Sequence, residues 1–188
     1  MSNYQPPVDQ QKIGIQPCQP YLDWVLILLL ILCLSGHQSV SAARKTLTVY
    51  VFLNTECPIS QQYVVRLAEV YQHFSHSDVR FIAVFPLRTD TPAAIQRFRV
   101  EYKLPFAGKP DINTQLARHF RVRVTPEVVV MQSDGKVSYQ GAIDNWYVDL
   151  GKHRPQATQY YLKDALTALL AGKSVVQPRT DAVGCLIE

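Results

Sequence analysis

The chain predicts an α/β domain with a central mixed β-sheet flanked by helices, and three features carry that prediction. β-rich runs alternate with one-sided apolar helical patterns between Leu47 and Tyr102; an Asp134-Gly135 turn joins two further β runs; an amphipathic helical stretch follows. Strand, helix, strand, helix, then hairpin and helix is the order of a layered fold whose sheet mixes parallel and antiparallel neighbours.

The elements follow in order. Leu47-Thr48-Val49-Tyr50-Val51-Phe52-Leu53 reads as a buried-type strand. Over 58–74 apolar side chains recur at Ile59, Tyr63, Leu67, Val70, Tyr71 and Phe74, one face of a helix. Pro58 suits its first position, where the missing N–H is not missed. Residues 79–85 form a second strand ending at Pro86. Thr91-Pro92 is an N-cap followed by proline, opening a helix to about Tyr102 that Pro105 stops. A short segment, 105–111, leads into a helical stretch at 114–120. Beyond Thr125-Pro126, the runs 128–131 and 137–140 flank Ser133-Asp134-Gly135-Lys136, a hairpin signal. A loop at 141–157 precedes a last helix of roughly 15 residues, marked by Tyr161, Leu162, Ala165, Leu166, Leu169 and Leu170 and closed by Gly172. The tail holds Pro178 and Gly184-Cys185-Leu186-Ile187.

The 188 residues suffice for one domain plus a leader, and no internal repeat is present. A formal net charge of +4, without a Lys/Arg block, excludes a nucleic-acid-binding class. Residues 1–20 are rich in Gln and Pro and read as disordered. The run Trp24-Val25-Leu26-Ile27-Leu28-Leu29-Leu30-Ile31-Leu32-Cys33-Leu34 is uninterrupted and apolar, yet shorter than the about 20 residues a bilayer span needs. It suits a signal-peptide core, with small residues at Val40-Ser41-Ala42 where cleavage would fall. The stretch before it is long, with only Lys12 as a base beside Asp9 and Asp23, so an uncleaved membrane anchor is the alternative. Leu32 before Cys33 argues against a lipid anchor. On either reading the domain after residue 43 is exported, periplasmic or membrane-anchored and facing outside the cytoplasm. Cys18 and Cys33 belong to the leader, which leaves Cys57 and Cys185 to the domain. Two cysteines in an oxidising compartment are most simply a disulfide or a redox pair.

Cys57 stands in Asn54-Thr55-Glu56-Cys57-Pro58-Ile59-Ser60, where the first strand ends and the first helix begins. Unpaired N–H groups and the helix dipole favour negative charge there, which lowers the thiol pKa and makes a nucleophile. A buried structural cysteine is the bland alternative. Glu56 would oppose the thiolate if it faced the sulfur, although such side chains more often point to solvent.

A cysteine at the first helix start, with Thr125-Pro126 before a hydrophobic strand and an Asp-Gly turn, resembles the thioredoxin-like fold. The closer similarity is to the redoxin branch: the alkyl hydroperoxide reductase / thiol-specific antioxidant family and its exported thiol–disulfide reductase relatives. It covers about 45–172 and is most specific over 111–126, Asp-Ile-Asn-Thr-Gln-Leu-Ala-Arg-His-Phe-Arg-Val-Arg-Val-Thr-Pro. The domain plan is therefore 1–43 as disordered N-terminus plus signal peptide or anchor, 44–172 as the thioredoxin-like redoxin domain, and 173–188 as a tail carrying Cys185. The resemblance implies a cis peptide bond at Pro126, lying against the catalytic cysteine, and backbone hydrogen bonds from Thr125 to a bound substrate. A proline there offers no N–H, so an approaching chain uses neighbouring groups.

Dithiol relatives carry Cys-x-x-Cys, whereas Ser60 stands three residues after Cys57. Cys57 must act alone, with a partner thiol, or with a distant cysteine, for which Cys185 is the candidate. The thirteen residues from Gly172 to Cys185 span about 40 Å extended, enough to return along a final helix of about 22 Å. Cys185 then either staples Cys57 or resolves a mixed disulfide or sulfenic acid formed on it.

The resulting expectation is an exported thiol–disulfide oxidoreductase acting on a protein thiol or disulfide, served by an external reductant. The catalytic residues are Cys57 and Cys185; Thr125, Pro126, Pro58, Arg123 and Trp146 form the candidate substrate-binding set. Arg123 lies just before Thr125-Pro126, and Trp146 belongs to an aromatic, charged loop, 144–154; a solvated arginine and a packed insertion are the bland readings. The first alternative is a thiol peroxidase. Peroxiredoxins carry Pro-x-x-x-Thr-x-x-Cys, but Tyr50 and Asn54 stand at the proline and threonine positions. The second is a binding module, either a non-catalytic partner domain or a copper-binding chaperone with His153 joining the thiols, since thiolate and imidazole suit copper. Copper-delivery proteins of this fold use two cysteines close in sequence, a pair this chain lacks. No cofactor and no resident metal is expected, and His73, His76 and His119 read as surface residues.

Overall fold

Apolar residues on both faces of one strand place β1 (Leu47–Phe52) at the centre of the sheet. It pairs parallel with β2 (Val79–Phe85) and antiparallel with β5 (Glu127–Met131). Outside them lie β3 (Gly108–Pro110) and β6 (Val137–Gly141), giving the five-stranded order β3-β2-β1-β5-β6. This is the mixed sheet of a thioredoxin-like fold. The computed structural model describes residues 46–187. The apolar segment 24–34, the 40–42 cleavage candidate, Cys18 and Cys33 lie outside the described residues. Among the described residues no helix is long and apolar enough to cross a membrane.

Val49 and Val51 face one side, against Tyr63 and Leu67 of α1 (Pro58–His73), Phe98 of α2 (Pro92–Glu101) and Leu166 of α4 (Tyr161–Leu170). Phe52 faces the other, with Val84 and Val129, against Phe120 of α3 (Gln115–Phe120). Each such side chain, fully buried, contributes about 1.5–3 kcal/mol. The helix starts are set locally: Pro58 and Pro92 occupy first-turn positions, and Thr91 Oγ1 accepts the Ala94 N–H at 3.2 Å. A 3₁₀ turn, Ile112–Thr114, leads into α3.

Three expectations need correction. The segment read as a loop contains a small hairpin, β7 (Tyr147–Asp149) with β8 (Lys152–His153), turned at Gly151. The last helix has 10 residues rather than about 15, because Tyr160 still lies outside it and the chain turns at Gly172. The tail forms a strand, β9 (Cys185–Leu186), antiparallel to β4 (Val124–Thr125).

Candidate active site

The turn that carries Cys57 is held by short polar bonds at the end of β1. Asn54 is buried: its N–H donates to Ser60 Oγ at 3.3 Å, and its Oδ1 accepts the Glu56 N–H at 2.8 Å. Thr55 donates twice to Asp90 Oδ1, from its N–H at 3.0 Å and its hydroxyl at 2.7 Å. Asp90 Oδ2 accepts the Leu87 N–H at 3.2 Å, so this buried carboxylate ties the loop after β2 to the turn. Cys57 is the N-cap of α1, and its carbonyl accepts the first helical bond, from the Gln61 N–H. Its side chain makes no capping hydrogen bond to the helix N–H groups.

Thr125-Pro126 is cis, and the Thr125 carbonyl oxygen lies 3.3 Å from Cys57 Sγ. Cys185 reaches this place from 128 residues away and forms a disulfide with Cys57, with Cα atoms 6.2 Å apart. Cys57 is 1% exposed, whereas Cys185 is partly exposed. The Thr125 hydroxyl donates to the Cys185 carbonyl at 3.5 Å, and the Ile187 N–H donates to the Arg123 carbonyl at 3.0 Å.

The tail is anchored before it reaches the site. Thr180 N–H donates to the Gln140 carbonyl, and Thr180 Oγ1 accepts the Ala142 N–H at 2.9 Å. A side chain at Gly141 (φ +145°) would collide with the Thr180 carbonyl, so glycine is needed at this approach. Beneath, Gln140 donates to Glu127 Oε1 at 2.7 Å and accepts from Arg179 at 3.1 Å. Burial raises the Glu127 carboxyl above its ordinary value, against the lowering pull of hydrogen bonds from Gln140 and the backbone.

The expected residues are not all brought together. Cys57, Cys185, Thr125 and Pro126 converge, and Pro58 is exposed at the helix start beside them. Arg123 is exposed; its N–H donates to Glu127 and its carbonyl accepts from the tail. Trp146 packs on Tyr63, Tyr147 and His153, with the Arg66 guanidinium 4.3 Å over its ring. Asp144 holds this cluster, accepting from Tyr63 Oη at 2.8 Å and pairing with Arg66 at 3.2 Å. Burial and the Asp144 charge push the Tyr63 phenol upward. His153 is engaged there too, its Nδ1 3.0 Å from the Arg154 carbonyl oxygen. Among the described residues no three His, Cys, Asp or Glu side chains are grouped to hold a metal. Sequence reasoning missed Asp90, Asn54 and Glu127. Only Glu127 left a signal, a charge heading an otherwise apolar strand.

A model of the AhpC/TSA family matches residues 33–140, more than half of the chain. Among solved structures, an uncharacterized conserved protein from Geobacillus kaustophilus superposes with a TM-score of 0.66 at 21% identity, covering 77% of this chain and 78% of that one. A hypothetical protein from Sinorhizobium meliloti gives 0.64 at 18%, covering 77% and 80%. A secreted Mycobacterium tuberculosis disulfide oxidoreductase homologous to E. coli DsbE gives 0.45 at 19%, covering 68% and 81%. No curated protein matches. The family match runs through both Cys57 and Pro126, and the chain belongs to the AhpC/TSA family.

Proposed function

We propose that this redoxin is a thiol–disulfide oxidoreductase whose Cys57 and Cys185 cycle between dithiol and disulfide. The observation that carries the reading is the Cys57–Cys185 disulfide, formed at a helix start and against a cis-proline. In the reduced chain the Cys57 thiolate attacks a sulfur of a protein disulfide. That S–S bond breaks, and the departing thiolate takes a proton from water. Cys185, as thiolate, then attacks Cys57 Sγ and expels the second substrate sulfur. Two electrons pass to the substrate, and an external dithiol returns them to the chain.

Thr125 supplies backbone bonds for the substrate, and Pro126 and Pro58 line its approach. The N-terminal segment 24–34 supports work outside the cytoplasm, on a domain released from, or held to, the membrane. The peroxidase alternative draws less support. Asn54, at the threonine position, is spent on the turn, and Tyr50 stacks on Phe120 at 5.4 Å in the cluster opposite that of Cys57.

The test is reduction of a protein disulfide with dithiothreitol as the dithiol. Cys57→Ser is expected to abolish turnover, and pre-reduced Cys185→Ser, freed of dithiothreitol before the substrate is added, to accumulate a mixed disulfide on Cys57. Unchanged turnover in Cys57→Ser would overturn the reading.

A further inference from the structure

We infer that residues 184–187 are an internal copy of the substrate: the site takes extended protein segments whose disulfide-bonded cysteine follows a glycine and precedes an apolar residue. This rests on the thiol–disulfide reading above. The tail is joined to Cys57 by the same kind of bond a mixed disulfide would use. It lies antiparallel to Val124–Thr125, with Thr125 opposite Cys185 and Val124 opposite Leu186. Those contacts are mainly backbone, so another extended chain can make them in its place.

Two positions add a sequence preference. At Gly184 a Cβ would overlap the Thr125 carbonyl and lie 3.1 Å from Pro126 N. These are backbone atoms beside the cis bond, and they cannot step aside as the end of a side chain can. A residue larger than glycine there lifts the strand from β4. Leu186, after the cysteine, lines a groove of about 960 Å³ whose apolar wall is Pro86, Leu87, Pro110 and Ile112, with Arg88 and Arg118 also on its lining. Leu186 is 66% exposed and Ile112 70% exposed, so the tail leaves the groove's apolar wall open to a larger occupant.

The tail is hydrogen-bonded at its two ends and held between them by packing. Thr180 is fixed to Gln140 and Ala142, whereas among the described residues 181–183 make no hydrogen bond and Val183 packs against the core. With the disulfide reduced, 184–187 can swing from β4 about that anchor. A substrate strand takes the vacated edge while its cysteine joins Cys57. Cys185 then attacks Cys57 Sγ, the substrate leaves as a thiolate, and the tail regains its strand. The external dithiol that reduces the chain completes the electron balance.

The test uses the full chain carrying Cys185→Ser and peptides whose cysteine is activated as a thionitrobenzoate disulfide. Dithiobis(nitrobenzoate) itself is the reference without a sequence. A Gly-Cys-Leu peptide is expected to react about tenfold faster than Val-Cys-Leu, the loss of roughly one backbone bond. It should also outpace the uncharged Gly-Cys-Ser by several-fold, since serine gives the apolar wall nothing to bury. Adding Gly184→Ala, which dislodges the tail, is expected to speed Gly-Cys-Leu further. Equal rates for all peptides, or no gain with Gly184→Ala, overturn the inference while the exchange reading stands. No reaction even with the reference reagent overturns both.

Discussion

Thr125 and Cys185 face each other across a two-strand antiparallel pair, one residue before the cis-proline. The Thr125 hydroxyl donates to the Cys185 carbonyl, while the Thr125 carbonyl approaches Cys57 Sγ. One residue thus positions both sulfurs, the nucleophile from below and its partner from alongside. The proposed chemistry depends on this arrangement more than on any charged side chain.

Asp90→Ala should loosen the Cys57 turn. It removes the acceptor for two Thr55 donors and for the Leu87 N–H. The expected loss is about 1–3 kcal/mol in urea unfolding, with slower disulfide exchange at Cys57. Full exchange rates despite lost stability would show that the clamp does not position the thiol.

Ser60→Cys in a Cys185→Ser background should form a local 57–60 disulfide. Residues three apart on a helix have Cβ atoms about 5–6 Å apart, so a small shift at the helix start brings them to the roughly 4 Å a disulfide needs. Mass mapping after mild oxidation reads the outcome. Failure to close would mean that the buried Ser60 environment, where Oγ accepts the Asn54 N–H, rejects the thiol pair.

Glu127 should make stability fall as pH rises. Its folded pKa is raised from 4.5 by burial, so its contribution is fully present below that value and lost as pH climbs through the folded one. Urea midpoints between about pH 4 and pH 8, compared with Glu127→Gln, check the sign. The variant is expected to flatten this part of the profile.

Trp146→Ala should cost about 1–3 kcal/mol through lost ring and Arg66 contacts. Exchange rates at Cys57 are expected to stay near those of the parent chain. A large loss of substrate affinity without loss of stability would instead make Trp146 a binding platform.

Much of the scaffold was readable because local chemistry sets it. The Thr91-Pro92 start, the Asp134-Gly135 hairpin and the strand at 79–85 stand where the sequence places them. At Asp134 the carboxylate accepts the Lys136 N–H at 2.9 Å, a bond between near neighbours. The β9 strand was not readable, since two residues carry no periodicity and their partner lies 60 residues away. Gly184 looks like any tail glycine until the Thr125 carbonyl is set beside it. Asp90 was hidden for the same reason: a polar residue before a helix cap usually faces water, and only the fold brings Thr55 to it. The short β7–β8 hairpin was lost because Gly151 alone marks its turn.

The central claim is that Cys57 and Cys185 are a working redox pair. The measurement is a redox titration of the full chain in dithiothreitol buffers, with the disulfide mapped by mass spectrometry at each step. The expected result is one cooperative, reversible two-electron transition between free thiols and the Cys57–Cys185 disulfide, abolished by Cys185→Ser. A bond that stays closed until the domain unfolds would make it a structural staple and contradict the account, and so would thiols that remain free under oxidant.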